Sequence, residues 1–259
     1  MSEIAAVFLG IIQGLTEFLP ISSSGHLVAF QHLMGFSEPE ILLDISLHLG
    51  TLTAVIIYFR RDLSEMTSAV RKKDFKSDHT SLLFRIIVGS IPTAVIGLVF
   101  MTPLERLFSS VHFVGFMLIT TGLIIGATRL IPSGYGSRKT FGVLYALAIG
   151  TVQGLAIIPG ISRSGATIAC ALFLGLDREL AGRFSFLLSI PAIIGALVLQ
   201  FDMEAVSRVG LSALVTGFFT SALVGFFALN ILMGMVKKGH LSYFAPYCWA
   251  AGLALIVFT

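Results

Sequence analysis

Read along the chain, apolar residues come in long blocks with few polar interruptions, far longer than the buried face of a soluble helix. A membrane-spanning helix takes about 17–25 mostly apolar residues. Six stretches meet that length: 42–59, 84–102, 112–129, 184–201, 210–236 and 243–259. Two further apolar regions are broken. Residues 4–35 are interrupted after Pro20 by Ser22-Ser23-Ser24-Gly25, and residues 141–175 by Pro159-Gly160 and Ser162-Arg163-Ser164-Gly165. Each half is too short to cross a bilayer but suits a re-entrant helical hairpin. Broken backbone at membrane depth survives only where protein or a watery cavity satisfies it. The two breaks are therefore where a polar site is expected.

Composition agrees. Of 259 residues, 56% are hydrophobic and 12% are charged, where a soluble domain carries about 25% charged residues. The mean hydropathy is +0.94. These values exclude a soluble enzyme, a nucleic-acid binder and a disordered chain. The net charge of +3 reads as loop chemistry and implies no nucleic-acid partner. Cys170 and Cys248 lie in apolar runs and read as small buried hydrophobes. Met1-Ser2-Glu3 lacks the positive stretch of a cleaved signal peptide.

Charge then sets orientation. With six spans and two re-entrant hairpins, fourteen basic residues fall on one side: Arg60, Arg61, Arg71, Lys72, Lys73, Lys76, Arg85, Arg129, Arg138, Lys139, Arg178, Arg183, Lys237 and Lys238. Only Arg106 and Arg208 fall on the other, and Arg163 alone sits at depth. The positive-inside rule puts both termini outside and reads 60–81, with Arg71-Lys72-Lys73, as a solvated cytoplasmic loop near anionic lipids.

The broken regions repeat. Residues 10–25 laid over 150–165 without a gap coincide at eight of sixteen positions, among them Gly10/Gly150, Gln13/Gln153, Ser22/Ser162 and Gly25/Gly165. Gly89, Ala94 and Gly97 match Gly217, Ala222 and Gly225 at a shorter offset. The chain thus reads as a single all-α polytopic membrane domain, 1–259, made of an inverted-topology repeat. Repeat 1 (1–131) is hairpin 4–35 plus three spans, and repeat 2 (141–259) is hairpin 141–175 plus three spans. Three spans per copy is odd, which inverts the second copy and places the site near the midplane, where the breaks meet.

The reactive positions do not repeat. Glu17 aligns with Ile157, Ser23 with Arg163 and His26 with Ala166, so one site is expected. An arginine at depth costs about 2.5–3.5 kcal/mol and is kept only with partners. Arg163 reads either as a structural pair with Glu17 or as an anion clamp, since guanidinium matches phosphate bidentately. Ser22, Ser24, Gly25, Ser162, Ser164, Gly165 and Thr167 lie where polar loops enter short helices, whose N–H groups suit a phosphate. His26 follows Ser23 by three residues, as a base would follow a nucleophile. Glu17 is open to roles as metal ligand, base or orienter of His26 or Arg163. His32 reads as a core histidine. Asp44 and His48, at i and i+4, read as a local pair or a support to the site. The glycine-rich run 209–236, with Gly210, Gly217 and Gly225, packs against its own chain or against a second copy in a homodimer.

Gln13-Gly14-Leu15-Thr16-Glu17-Phe18-Leu19-Pro20-Ile21-Ser22-Ser23-Ser24-Gly25-His26 resembles the first signature of the undecaprenyl-diphosphate phosphatase family. Pro159-Gly160-Ile161-Ser162-Arg163-Ser164-Gly165-Ala166-Thr167 resembles the second. The likeness extends over essentially the whole chain. It implies a hydrolase of the bacterial cytoplasmic (inner) membrane that turns undecaprenyl diphosphate into the monophosphate carrier for peptidoglycan synthesis and confers bacitracin resistance. It also implies a divalent cation (Mg²⁺ or Ca²⁺), a site open to the outer, periplasmic face, and catalytic roles for Glu17, Ser23, His26 and Arg163. Many members carry glutamate where this chain has Gln13, so Glu17 and Gln13 are the metal candidates, the second a neutral oxygen. Ser23 as nucleophile with His26 as base, His26 as nucleophile, and His26 activating water all remain open. The rival reading is a transporter or flippase of a phosphate-headed polyprenyl lipid, because broken inverted repeats also build carriers.

Overall fold

The computed structural model describes residues 2–34, 41–107, 110–132, 135–200 and 210–258, without the side chains of 41, 101–107 and 200. Arg208 and the side chain of Arg106 therefore lie outside the described residues. The described helices are α1 (Glu3–Phe18), α2 (Ser23–Leu33), α3 (Ile41–Tyr58), α4 (Arg60–Arg71), α5 (Asp78–Leu107), α6 (Val111–Ala127), α7 (Val143–Leu155), α8 (Arg163–Phe173), α9 (Arg178–Gln200), α10 (Leu211–Lys237) and α11 (Ala245–Phe258). No strand occurs among the described residues.

Five of these helices are long and apolar enough to cross a membrane, and a sixth if α3 and α4, bent by 70°, count as one span. Local capping fixes several starts. Ser2 Oγ accepts from Ala5 N at 3.3 Å, Ser110 Oγ from Phe113 N at 3.3 Å, and Asp177 Oδ1 from Glu179 N at 3.0 Å. Each satisfies an N–H that the first helical turn leaves without a partner.

The solvated loop expected over 60–81 is largely helix. Leu63, Met66 and Ala69 recur every three residues, and this stripe folds α4 onto the main core, burying Met66 and Ala69. His32, expected in the core, is exposed near the end of α2. Cys248 is buried and Cys170 half-buried.

Helix pairing is reciprocal between the two halves. α1 packs on α10 and α7 on α5, α3 packs on α10 and α9 on α5, while α6 packs on α11 and α3 on α9. Small residues make the approaches close. A Cβ on Gly150 would lie 1.8 Å from Gly89 O, and one on Gly10 would lie 3.0 Å from Gly217 O. Lipid-solvated helices associate through such small-residue contacts. Gly217 also faces Leu43 and Leu47, and Gly225 faces Phe18. The glycine stripe of α10 is thus used within its own chain. Its opposite face, Leu211, Val215, Phe219, Leu223, Phe227 and Ile231, is exposed at four-residue spacing.

Several basic residues gather at one end. Arg183 pairs with Asp62, Lys237 Nζ lies 2.8 Å from Glu179 Oε1, the Arg178 guanidinium packs on Gly239, and Arg138 bridges to Leu176.

Candidate active site

Two interruptions build the site. α1 ends because Leu19 precedes a proline and takes an extended conformation (φ −60°, ψ 142°). The chain restarts at Ser22, a non-glycine residue with φ +68°, a conformation L-residues seldom adopt. The turn is held from several sides. Ser22 Oγ accepts from Gly25 N at 3.3 Å, and Ser22 O accepts from His26 N at 3.3 Å and from His26 Nδ1 at 2.8 Å.

The second interruption turns at Gly160 (φ +93°), where a Cβ would sit 2.5 Å from Val114 O. Thr121 Oγ1 donates to Gly160 O at 2.9 Å and accepts from Ser162 N at 2.9 Å. Ser162 Oγ caps Gly165 N at 3.1 Å.

The interruptions touch. A Cβ on Gly165 would lie 3.0 Å from Pro20 Cβ, and one on Gly25 would lie 3.4 Å from Gly160 Cα. Ser164 Oγ donates to Leu19 O at 3.5 Å. The contact carries Arg163 across to Glu17.

Glu17 is the centre, 8% exposed. Its Oε2 accepts from Ser23 Oγ at 2.6 Å and Gln13 Nε2 at 3.1 Å, and lies 3.7 Å from His48 Nε2. Arg163 Nη2 donates to Oε1. Two buried polar atoms here have no partner, Arg163 Nη1 and Gln13 Oε1. A hydroxyl on a carboxylate with a half-engaged guanidinium beside it can bind an anion and lose a proton.

The predicted residues divide. Glu17, Ser23 and Arg163 come together directly. His26 does not meet Ser23, because both ring nitrogens are engaged elsewhere: Nδ1 on Ser22 O, and Nε2 on the Tyr247 hydroxyl at 2.7 Å. Glu17, not His26, receives the Ser23 hydrogen bond. Ser22, Ser162, Gly25 and Gly165 close the turns, and the Ser24 and Ser164 hydroxyls lie 3.3 and 3.2 Å from Ser22 and Ser162. Thr167 is fully buried and donates to Arg163 O at 2.8 Å, within its own helix.

Two residues enter that the motifs did not contain. His48 reaches Glu17 from α3 while its Nδ1 donates to Asp44 O at 2.7 Å. The expected His48–Asp44 side-chain pair is thereby a backbone contact, and the Asp44 carboxylate accepts from Gln31 Nε2 at 2.8 Å. The i, i+4 spacing had flagged His48 but not its target. Tyr247 carried no signal at all, since its partner is 221 positions away.

For a cation, the donor set is one carboxylate and one amide oxygen. No group of three or more His, Cys, Asp or Glu residues is arranged to hold a metal among the described residues. Gln13 Oε1, buried without a partner, fits as a neutral ligand beside Glu17. Such a pair suits an ion that takes most of its shell from substrate phosphates.

A family model described as Bacitracin resistance protein BacA matches residues 6–254. The chain belongs to that family. Its relatives include an undecaprenyl-diphosphatase of Desulfatibacillum aliphaticivorans, 47% identical, with 99% of each chain covered. The undecaprenyl-diphosphatase of Desulfosudis oleivorans is 48% identical over 97% of each chain. That of Halothermothrix orenii is 44% identical over 99% of this chain and 98% of its own. Membership makes the chain a multi-pass membrane hydrolase.

Proposed function

We propose that this chain hydrolyses undecaprenyl diphosphate to undecaprenyl phosphate and inorganic phosphate, which recycles the carrier for peptidoglycan synthesis and confers bacitracin resistance. The observation that carries the mechanism is the contact of Ser23, Glu17 and Arg163 across two helix breaks, in a chain matched to BacA over 6–254.

Arg163 takes the terminal phosphate through Nη1 first, the donor with no partner in the protein. As phosphate engages the guanidinium, Glu17 Oε1 is released while Oε2 stays on the Ser23 hydroxyl. The Ser23 oxygen then bonds to the terminal phosphorus and its proton passes to Glu17 Oε2. The bond from that phosphorus to the bridging oxygen breaks with its electron pair, releasing undecaprenyl phosphate. In the second half-reaction water bonds to phosphorus and gives its proton to His26 Nε2, which passes it to solvent as phosphate leaves. The Ser23 oxygen leaves and recovers the proton held on Glu17. Arg163 and the helix N-termini at Ser23 and Arg163 stabilise charge on the equatorial oxygens throughout. A divalent cation (Mg²⁺ or Ca²⁺), when bound, supplies further neutralisation of the diphosphate, and Glu17 and Gln13 would hold it with the phosphate oxygens.

The architecture we read is an inverted repeat of six spans and two re-entrant hairpins. Reciprocal pairing of α1 with α10 and α7 with α5 supports the repeat. So does the length of the broken helices: α1 and α7 have 16 and 13 residues, about 24 and 20 Å, against an apolar core of ~30 Å. The gathered basic end faces the cytoplasm, both termini face outward, and the site opens to the outer face. A membrane-impermeant thiol reagent on intact cells then labels Ser2→Cys and leaves Ser137→Cys unlabelled; the reverse pattern overturns this orientation.

The deciding experiment is phosphate release from undecaprenyl diphosphate by purified protein in detergent, with and without chelator, for wild type and Ser23→Ala. Wild type releases phosphate, chelator reduces the rate, and Ser23→Ala is inactive. Full activity in Ser23→Ala removes the serine mechanism, and no release by wild type removes the function.

A further inference from the structure

The last helix reaches back to the first break with two adjacent residues. Cys248 Sγ donates to Pro20 O at 3.5 Å, and the Tyr247 hydroxyl meets His26 Nε2 at 2.7 Å. The His26 and Tyr247 rings lie nearly parallel, 10° apart, with centroids 5.7 Å apart. Beyond this contact, α11 packs on α6, Trp249 against Gly122 and Gly252 against Gly115. Tyr247 is therefore presented by a braced helix.

Hydrogen bonding determines the tautomer. Ser22 O is a carbonyl and can only accept, so Nδ1 carries the hydrogen. In the neutral ring Nε2 is then a lone pair, and the phenol is the donor to it. Tyr247 thus occupies the one nitrogen through which His26 can act as a base, and the ring stack fixes the direction of that lone pair. His26 is 7% exposed while Tyr247 is 47% exposed, so the pair joins a buried ring to a half-exposed one.

We propose that Tyr247 is a catalytic residue for the second half-reaction. Its hydroxyl marks the side of His26 Nε2 in the resting protein; the water that attacks phosphoserine enters between the two, donating one hydrogen to Nε2 and the other to the phenol oxygen, so that Tyr247 and His26 aim it together. This rests on the phosphatase reading above. Tyr247 touches the attacking water and not the phosphate. Without the hydroxyl, Nε2 is less well ordered and the water less well aimed, whereas attack by Ser23, which uses Glu17 and Arg163, is unaffected.

The test is Tyr247→Phe, which keeps the stack and removes one hydrogen bond, with Tyr247→Leu as the variant that removes both. The expected result for Tyr247→Phe is a fall in kcat of about tenfold, the worth of one hydrogen bond. KM falls alongside, kcat/KM is unchanged, and acid-stable phosphoserine accumulates. Substrate-free protein labelled with ¹⁵N-histidine reports separately: the His26 signals, identified as those lost in His26→Gln, move in Tyr247→Phe away from a hydrogen-bonded Nε2 acceptor. Unchanged His26 signals, or equal losses of kcat and kcat/KM with no phosphoserine, overturn the proposal. If wild type releases no phosphate, the function fails, while the histidine spectra still judge the Tyr247 contact.

Discussion

The two breaks share one frame and differ in what they mount on it. In both, a serine hydroxyl caps the glycine three residues on, Ser22 to Gly25 at 3.3 Å and Ser162 to Gly165 at 3.1 Å. In both, a second serine hydroxyl lies 3.3 or 3.2 Å from the first. The backbones are not equal, however: Ser22 stands at φ +68° and Ser162 at −75°. Their glutamines differ more. Both leave the side-chain oxygen without a partner, but Gln13 donates to Glu17. Gln153 spans Thr93 at 3.2 Å and Leu188 O at 3.3 Å, tying α7 to α5 and α9. The first break holds carboxylate, serine and histidine, and the second adds a guanidinium. Two turns with the same cap bring unlike polar groups to one place.

Substitutions can break this comparison. The largest expected effects are at the unlike positions. Arg163→Ala and Ser23→Ala lower kcat/KM by about 10³-fold or more, read as phosphate release; comparable residual activity in either would leave the shared site without its clamp or nucleophile. Glu17→Gln removes the base for Ser23 and lowers kcat by about 10²–10⁴-fold, with bound substrate retained. At the equivalent glutamines the outcomes separate. Gln13→Ala reduces activity and raises the cation concentration required, whereas Gln153→Ala lowers thermal stability by about 1–3 kcal/mol through its lost buried partners and leaves kcat near wild type. Equal effects on activity would mean that the halves share the chemistry after all. Least of all, Ser162→Ala costs about 0.5–2 kcal/mol as a lost cap, measured as a shift in the melting midpoint, without a change in metal requirement.

Much of this was legible in the residues. The apolar blocks located the helices because a span is a local property of about twenty residues. The glycines that suggest a repeat mark close helix approaches, Gly10 on Gly217 and Gly150 on Gly89. Glu17 and Arg163 stood out because charge at depth needs a partner, and they are that partner for each other. What escaped was pairing with no local trace. Ser23 and His26 are three residues apart in sequence, and this suggested a nucleophile and its base. The turn at Ser22 directs His26 Nδ1 to a carbonyl and leaves Ser23 to Glu17, six residues back. α4 reads as loop because its charges outnumber its apolar positions, although Met66 and Ala69 anchor it.

By itself the sequence determined the membrane as solvent, the all-helical class and the apolar blocks that become long helices. All of these follow from composition and spacing along one chain. Only the tertiary structure decided which reactive groups touch: Glu17 rather than His26 on Ser23, His48 beside Glu17, and Tyr247 on His26. Hydrogen bonds act over about 3 Å, and the residues that come that close here are brought from as far as 221 positions apart by helix packing.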